Sequence, residues 1–151
     1  MRTRPSGRCS TRSCAIGGWH NVRLVAAAAI GRGYARSCTA SGNRRNAAAL
    51  GQFTRLRDLI RETLKRAATS SAVLCGDFNS PGGIQSGAPL RSIMRDAWPE
   101  GGRGWGATMP SWLPLSRIDQ CWVTPDIEVV SAVVRKGDSD HRRLVVDLRF
   151  R

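Results

Sequence analysis

Ala72-Val73-Leu74-Cys75-Gly76-Asp77-Phe78-Asn79-Ser80 runs from four apolar residues straight into a glycine, a carboxylate and an amide. The apolar part is too short for a helix and reads as a buried strand over Ala72–Cys75. The segment from Gly76 to Gly87 is rich in turn residues. Before it lies the best helix of the chain, Asn46–Ala68, in which Leu50, Phe53, Leu56, Ile60, Leu64 and Ala67 recur at steps of three and four and form one apolar stripe. Glu62 and Arg66 add an i,i+4 pair on its outer side. Further upstream, Val22–Val25 reads as a strand and Gly31–Arg45 as a loop. Strand, helix and strand in succession suggest a right-handed crossover between neighbouring strands. Downstream, Pro89–Trp98 reads as a short helix and Pro99–Ser116 as a Gly/Pro/Trp loop. Three β-rich runs follow, Ile118–Val123, Ile127–Arg135 and Arg143–Phe150. No internal repeat is visible, and the pattern is that of an α/β or α+β layered domain.

The 151 residues suit one domain with a moderate core. No window approaches the roughly 20 apolar residues of a membrane span. The formal net charge is +13, carried by Arg rather than Lys, and it is uneven. Residues 1–66 hold 14 Lys and Arg against Asp58 and Glu62, whereas residues 67–151 hold 10 against nine acids. Such asymmetry fits a phosphate-attracting face or a nucleic-acid-binding arm, but scattered Arg is also what base-composition bias produces, so charge alone names no substrate. Five cysteines without a CxxC pair fit free thiols in a reducing cytoplasm. Cys9, Cys14, His20 and Cys38 have zinc-ligand chemistry without the usual zinc spacing. Residues 1–18, rich in Arg, Ser, Gly and Cys and without apolar periodicity, read as a disordered basic arm or a non-native start. The division expected is therefore a leader over 1–20 and a folded domain over 21–151.

Three segments set acids or a His at predicted strand ends: Gly76-Asp77-Phe78-Asn79-Ser80, Ser116-Arg117-Ile118-Asp119-Gln120, and Gly137-Asp138-Ser139-Asp140-His141-Arg142. Loops at strand ends let a rigid sheet hold polar groups at a common mouth. Singly, each has a plainer reading: a turn cap, a salt bridge, surface decoration. Together and in this order they resemble the last three signature segments of the endonuclease/exonuclease/phosphatase (DNase I-like) family, namely its GDFN, R-I-D and S-D-H boxes. The flanks agree, with Gln52 in the preceding helix and Asp119-Gln120-Cys121-Trp122-Val123-Thr124-Pro125-Asp126-Ile127 as the strand and turn after R-I-D. The resemblance runs from about Asn21 to Arg151.

What the resemblance implies is a DNase I-like layered β-sandwich flanked by helices, truncated at its N-terminus, and a divalent-metal-dependent phosphoesterase with Mg²⁺ or Mn²⁺. Its catalytic residues would be Asp77, Asn79, Asp119 and His141. Asp77 would position or deprotonate the attacking water. Asn79 would contact phosphate or help hold metal, and Asp119 would fix the tautomer of His141, which meets the scissile phosphate. Asp77, Asn79 and Asp140 would be the metal ligands, hard oxygens suited to Mg²⁺. The expected partner is a phosphodiester, nucleic acid among the candidates. Two departures bear on activity. The family's earlier Glu-bearing strand, its principal metal ligand, has no counterpart, because residues 1–18 contain no acid. The family's T-H-L segment is replaced by Ala26-Ala27-Ala28-Ala29-Ile30. Weakened or lost activity is therefore the expectation. The rival readings are a truncated, non-catalytic product that binds nucleic acid by charge, and a phosphatase of lipid or sugar phosphates.

Overall fold

The computed structural model describes residues 11–16, 22–26, 34–38, 45–83 and 85–150, with side chains from Leu50 onward, those of residues 84 and 86 excepted. Two antiparallel sheets result. The first has the order β1–β8–β7, with β1 Thr11–Ile16, β7 Ile127–Arg135 and β8 Arg143–Phe150. The second has the order β3–β2–β4–β6–β5, with β2 Val22–Ala26, β3 Tyr34–Cys38, β4 Ala72–Asp77, β5 Arg95–Asp96 and β6 Asp119–Val123. Helices α1 Arg45–Ala67, α2 Ala88–Arg91 and α3 Ala97–Gly101 complete the chain.

β4 and β6 are buried along their whole length, because each is covered on both faces. Val73, Cys75, Cys121 and Val123 point into a core shared with Ile127, Ala132, Leu144, Val146 and Leu148 of the other sheet. Ala72, Leu74 and Trp122, one residue out of phase, pack under Phe53, Leu56 and Ile60 of α1 and Leu90 of α2. Burial on both faces makes a strand read as a continuous apolar run rather than an alternation. β8 is covered on one face, and its buried residues Leu144, Val146 and Leu148 alternate as a period of two requires. In β7 the register shifts between Val129 and Ser131. The extra residue moves the core-facing phase from Ile127 to Ala132, as a β-bulge does. The layers are thus sheet, sheet and helix, the layered sandwich expected, and the elements Val22–Val25, Asn46–Ala68 and the last three strands fall where the residue pattern puts them.

Four expectations are corrected. Residues 11–16 are not a structureless leader but a strand, paired antiparallel with β8 from Thr11↔Arg149 to Ile16↔Leu144. A strand can be specified by ladder hydrogen bonds to a neighbour, which leave no helical period in the sequence. The rest of the leader, residues 1–10 and 17–20, lies outside the described residues, as do the side chains of the zinc candidates. Within the expected loop Gly31–Arg45, Tyr34–Cys38 is a strand, β3, paired with β2. β2 and β4 are antiparallel to one another, so they are not joined by a crossover; α1 links β3 to β4, two parallel strands with β2 between them. Pro89–Trp98 is no single helix. Its chain turns after Arg91 and crosses β6 as β5, where Arg95 pairs with Val123 and Asp96 with Trp122.

Ile60, fully buried between α1 and β4, tests this packing. Ile60→Ala is expected to cost about 2–5 kcal/mol of unfolding free energy. Leu50→Ala, on a residue 47% exposed on the same helix, should stay within about 0.5 kcal/mol. Urea unfolding followed by circular dichroism compares the two; equal losses would mean that α1 packs through a different face.

Candidate active site

The antiparallel register of β4 and β6 puts Asp77, the last residue of one strand, directly opposite Asp119, the first residue of the other. Cross-strand partners lie on one face of a sheet, so both carboxylates occupy the inter-sheet side, at the end of the sandwich. Each is only 2% exposed. From the other sheet, the loop between β7 and β8 brings His141, 7% exposed, with Nδ1 3.0 Å from Asp119 Oδ2. Three groups spread over a span of 65 residues of sequence, Asp77 to His141, thereby meet at one mouth.

Asp119 is held from three sides. Its backbone N–H donates to the Thr108 hydroxyl at 3.3 Å, and its carboxylate meets both that hydroxyl and His141. Burial raises its pKa above the ordinary carboxylate value, Thr108 and His141 pull it back, and the charge of Asp77 adds to the rise. Thr108 is itself completely buried, and its carbonyl accepts the backbone N–H of Arg142 at 2.7 Å. This threonine ties the R-I-D strand to the His-bearing loop. It escaped the sequence reading because a Thr in a Gly/Pro/Trp stretch carries no mark of burial.

The loop after β4 is anchored below the mouth. Phe78 stacks on Phe53 of α1, centroids 5.6 Å apart and planes 7° from parallel, and its N–H donates to Ile118 O at 2.9 Å. Gln120, buried in β6, donates to Ser80 O at 2.6 Å and accepts from the Trp122 indole at 3.0 Å. Asn79 sits in left-handed backbone at φ 48°, a region asparagine tolerates. Its N–H donates to Asp77 Oδ1 at 2.8 Å, while its side chain is exposed. Arg117 pairs with Asp96 through two bonds of 3.1 and 2.5 Å and runs beneath Gly82, where a Cβ would lie 2.0 Å from its Nη2. The plainer salt-bridge reading therefore holds for the arginine of the R-I-D box, whose partner is Asp96. Asp140 is exposed, its carboxylate accepting from the Ser139 hydroxyl at 3.0 Å and its carbonyl from Ser111 N at 2.6 Å.

Asp77, Asn79 and Asp140 are oxygen donors of the hard type that suits Mg²⁺ or Mn²⁺. Among the described residues, however, no three or more of His, Cys, Asp and Glu gather into a group that could hold a metal ion. The donor chemistry fits a hard cation; the described donors do not close its site.

A profile of the Endonuclease/Exonuclease/phosphatase family matches residues 7–141, and the chain belongs to that family. The match begins ahead of Asn21, where the motif resemblance starts, and takes in β1. The fold is shared with solved structures. An endonuclease/exonuclease/phosphatase from Bacteroides vulgatus superposes with a TM-score of 0.65 at 19% identity, covering 94% of this chain and 65% of that one. An endonuclease/exonuclease/phosphatase family protein from Bacteroides thetaiotaomicron gives 0.61 at 21% identity, covering 71% and 45%. A mannosyl-6-phosphatase from the same species gives 0.61 at 21% identity, covering 69% and 46%. The chain thus spans about half to two thirds of the length of these structures. No curated protein sequence matches it. Members of this family are in general divalent-metal-dependent hydrolases. Among the described residues, no helix is long and apolar enough to cross a membrane.

The raised pKa of Asp119 fixes a sign. An acid whose folded pKa lies above its unfolded value binds more protons in the folded state, so its ionisation opposes folding as pH rises through the folded pKa. Asp119→Asn removes that cost while its amide oxygen can still accept from His141. Relative to wild type, the variant is expected to gain thermal stability as pH rises from the unfolded carboxylate range through the raised pKa, and to keep the gain at neutral pH. Melting temperatures of both proteins across that range check it; a variant that loses stability with rising pH would show that the ion pair with His141 outweighs burial.

Proposed function

We propose that the chain hydrolyses phosphoesters, with Asp77, Asp119 and His141 as its working side chains. The observation that carries this reading is the 3.0 Å contact between Asp119 and His141 beside Asp77, at the ends of adjacent strands. With Nδ1 turned to Asp119, the ring nitrogen left for substrate is Nε2. An imidazolium there would stabilise charge gathering on phosphate oxygens, and Asp119 would hold its orientation and tautomer. Asp77, its carboxylate accepting from the Asn79 backbone N–H, would orient the attacking water and take its proton. The Asn79 side chain, exposed at the mouth, would donate to the phosphate.

The resident cation in this proposal is Mg²⁺ or Mn²⁺, held by Asp77, Asn79 and Asp140 together with water, substrate phosphate and donors beyond the described residues. When bound it would supply Lewis-acid charge stabilisation. A phosphate-bearing partner is also in keeping with the formal charge of +13. The mannosyl-6-phosphatase among the similar structures places monoesters beside diesters in the test.

The assay is release of p-nitrophenol from its phosphate mono- and bis-esters, with nicking of plasmid DNA as the nucleic-acid arm. Slow turnover that needs Mn²⁺ or Mg²⁺ is expected. His141→Ala and Asp77→Asn should each lower kcat by about 10²–10⁴-fold without unfolding the chain. Turnover that survives both substitutions, or that is unaffected by EDTA, would place the chemistry elsewhere.

A further inference from the structure

Four large apolar side chains stand in solvent within an eleven-residue stretch: Trp105 is 73% exposed, Trp112 78%, Leu113 48% and Leu115 69%. Only Leu50 and Val130 are comparable elsewhere among the described residues. Isolated exposed leucines need no explanation, but a contiguous apolar patch does. This one sits on a defined hairpin. Met109 and Ser116 face each other as an antiparallel bridge, Leu115 N–H donates to Met109 O at 3.0 Å, and Met109 and Ser116 exchange bonds of 3.0 and 3.1 Å. The Trp105 indole lies against the tip and donates to Pro114 O at 2.8 Å.

We propose that this hairpin is an interfacial anchor that seats the protein on an anionic lipid surface. Three features argue for lipid. The tip, Trp112-Leu113-Pro114-Leu115, combines a tryptophan, the residue most at home at the headgroup boundary, with two leucines that can reach the acyl region. The hydrogen bonds just described satisfy the N–H groups of Met109, Leu115 and Ser116 and the indole of Trp105, which lowers the cost of taking those groups out of water. Charge is complementary as well: there is no acidic residue between Glu100 and Asp119, Arg103 in that interval is exposed, and Arg142 binds the hairpin base through Nε to Ser111 O at 2.9 Å. Basic residues flanking an apolar wedge are drawn to anionic headgroups.

The hairpin is coupled to the mouth. Its Ser111 N–H bonds the Asp140 carbonyl at 2.6 Å, and Thr108 just before it bonds Arg142. Residues on both sides of His141 are thereby fixed to the anchor. Seating it would turn the mouth towards phosphoesters at the lipid surface, a consequence that rests on the hydrolase reading, whereas the anchoring does not.

The test is co-sedimentation of the full chain with vesicles of phosphatidylcholine alone and of phosphatidylcholine mixed with phosphatidylglycerol. Binding is expected to the mixed vesicles, to weaken with salt, and to fall at least about tenfold in Trp112→Ala/Leu113→Ala. Trp112→Phe should retain most of it and Leu50→Ala all of it. His141→Ala should bind as wild type does, so a failure of anchoring and a failure of catalysis are separately visible. No vesicle binding, or binding that the hairpin substitutions leave unchanged, overturns the proposal. So does concentration-dependent self-association in analytical ultracentrifugation that disappears in Trp112→Ala/Leu113→Ala while vesicle binding is absent, which would assign the hairpin to a second copy of the chain.

Discussion

The register between β4 and β6 is the constraint on which the remainder depends. Pairing Val73 with Val123, Cys75 with Cys121 and Asp77 with Asp119 settles three things at once. It sends one row of side chains into the inter-sheet core and the next row under α1, and it leaves two acids facing each other where the apolar rows end. A slip of one residue would exchange the two faces of a strand, taking Trp122 from beneath the helix into the narrow space between sheets. Two differently shaped cores, one lined by Val and Cys and the other by Trp, Phe and Leu, therefore guard the geometry of the acids. The site is precise because the packing beneath it tolerates no alternative pairing.

Placing two carboxylates at 2% exposure opposes folding, and the surroundings show how the cost is contained. Asp77 accepts from the backbone N–H of Asn79, a residue in left-handed backbone. Asp119 is met by Thr108 and His141. The loops bearing these partners are fastened in turn, by Phe78 on Phe53, by Gln120 on Ser80, and by the Thr108 carbonyl on Arg142. The first two join a site loop to α1 and to β6, and the third joins the Thr108 loop to the loop that carries His141. A structural role alone would be served better by apolar residues in place of these buried acids, which is in keeping with the chemistry proposed for them.

Legibility in the sequence followed the strength of local pattern. α1 and the last three strands carry long apolar stripes or runs, and their boundaries were readable to within a residue or two. Asp77, Asp119 and His141 were readable because each sits in a short motif at a strand end. β3 was not, because Tyr34-Ala35-Arg36-Ser37-Cys38 has neither a β-branched run nor clean alternation, and its pairing with β2 is a tertiary fact. β1 was missed for the same reason. Pro89–Trp98 misled because a Leu, Ile and Met spacing of three and one looks helical, while Asp96 is needed to receive Arg117 and to cap α3 through Trp98 N–H. The roles of Thr108, Gln120 and Arg117 depend on contacts across 11, 40 and 21 positions, which no window of sequence contains.

The stretch from Arg103 to Ser116 joins these levels. By composition it is a loop, yet Thr108 within it is as buried as any core residue, and its hydrogen bonds reach the strand that carries Asp119 and the loop that carries His141. Loops on a rigid scaffold usually gain functional variety at the expense of order. Here the inner end of the loop, Ser111 included, is part of the scaffold, and only the tip, from Trp112 to Leu115, is left to meet surroundings. A change at the outer end can therefore alter what approaches the mouth without moving the acids, whereas a change at Thr108 disturbs Asp119 and the His141 loop together. On the two proposals, recognition and chemistry would be separable along one loop, divided where Met109 pairs with Ser116.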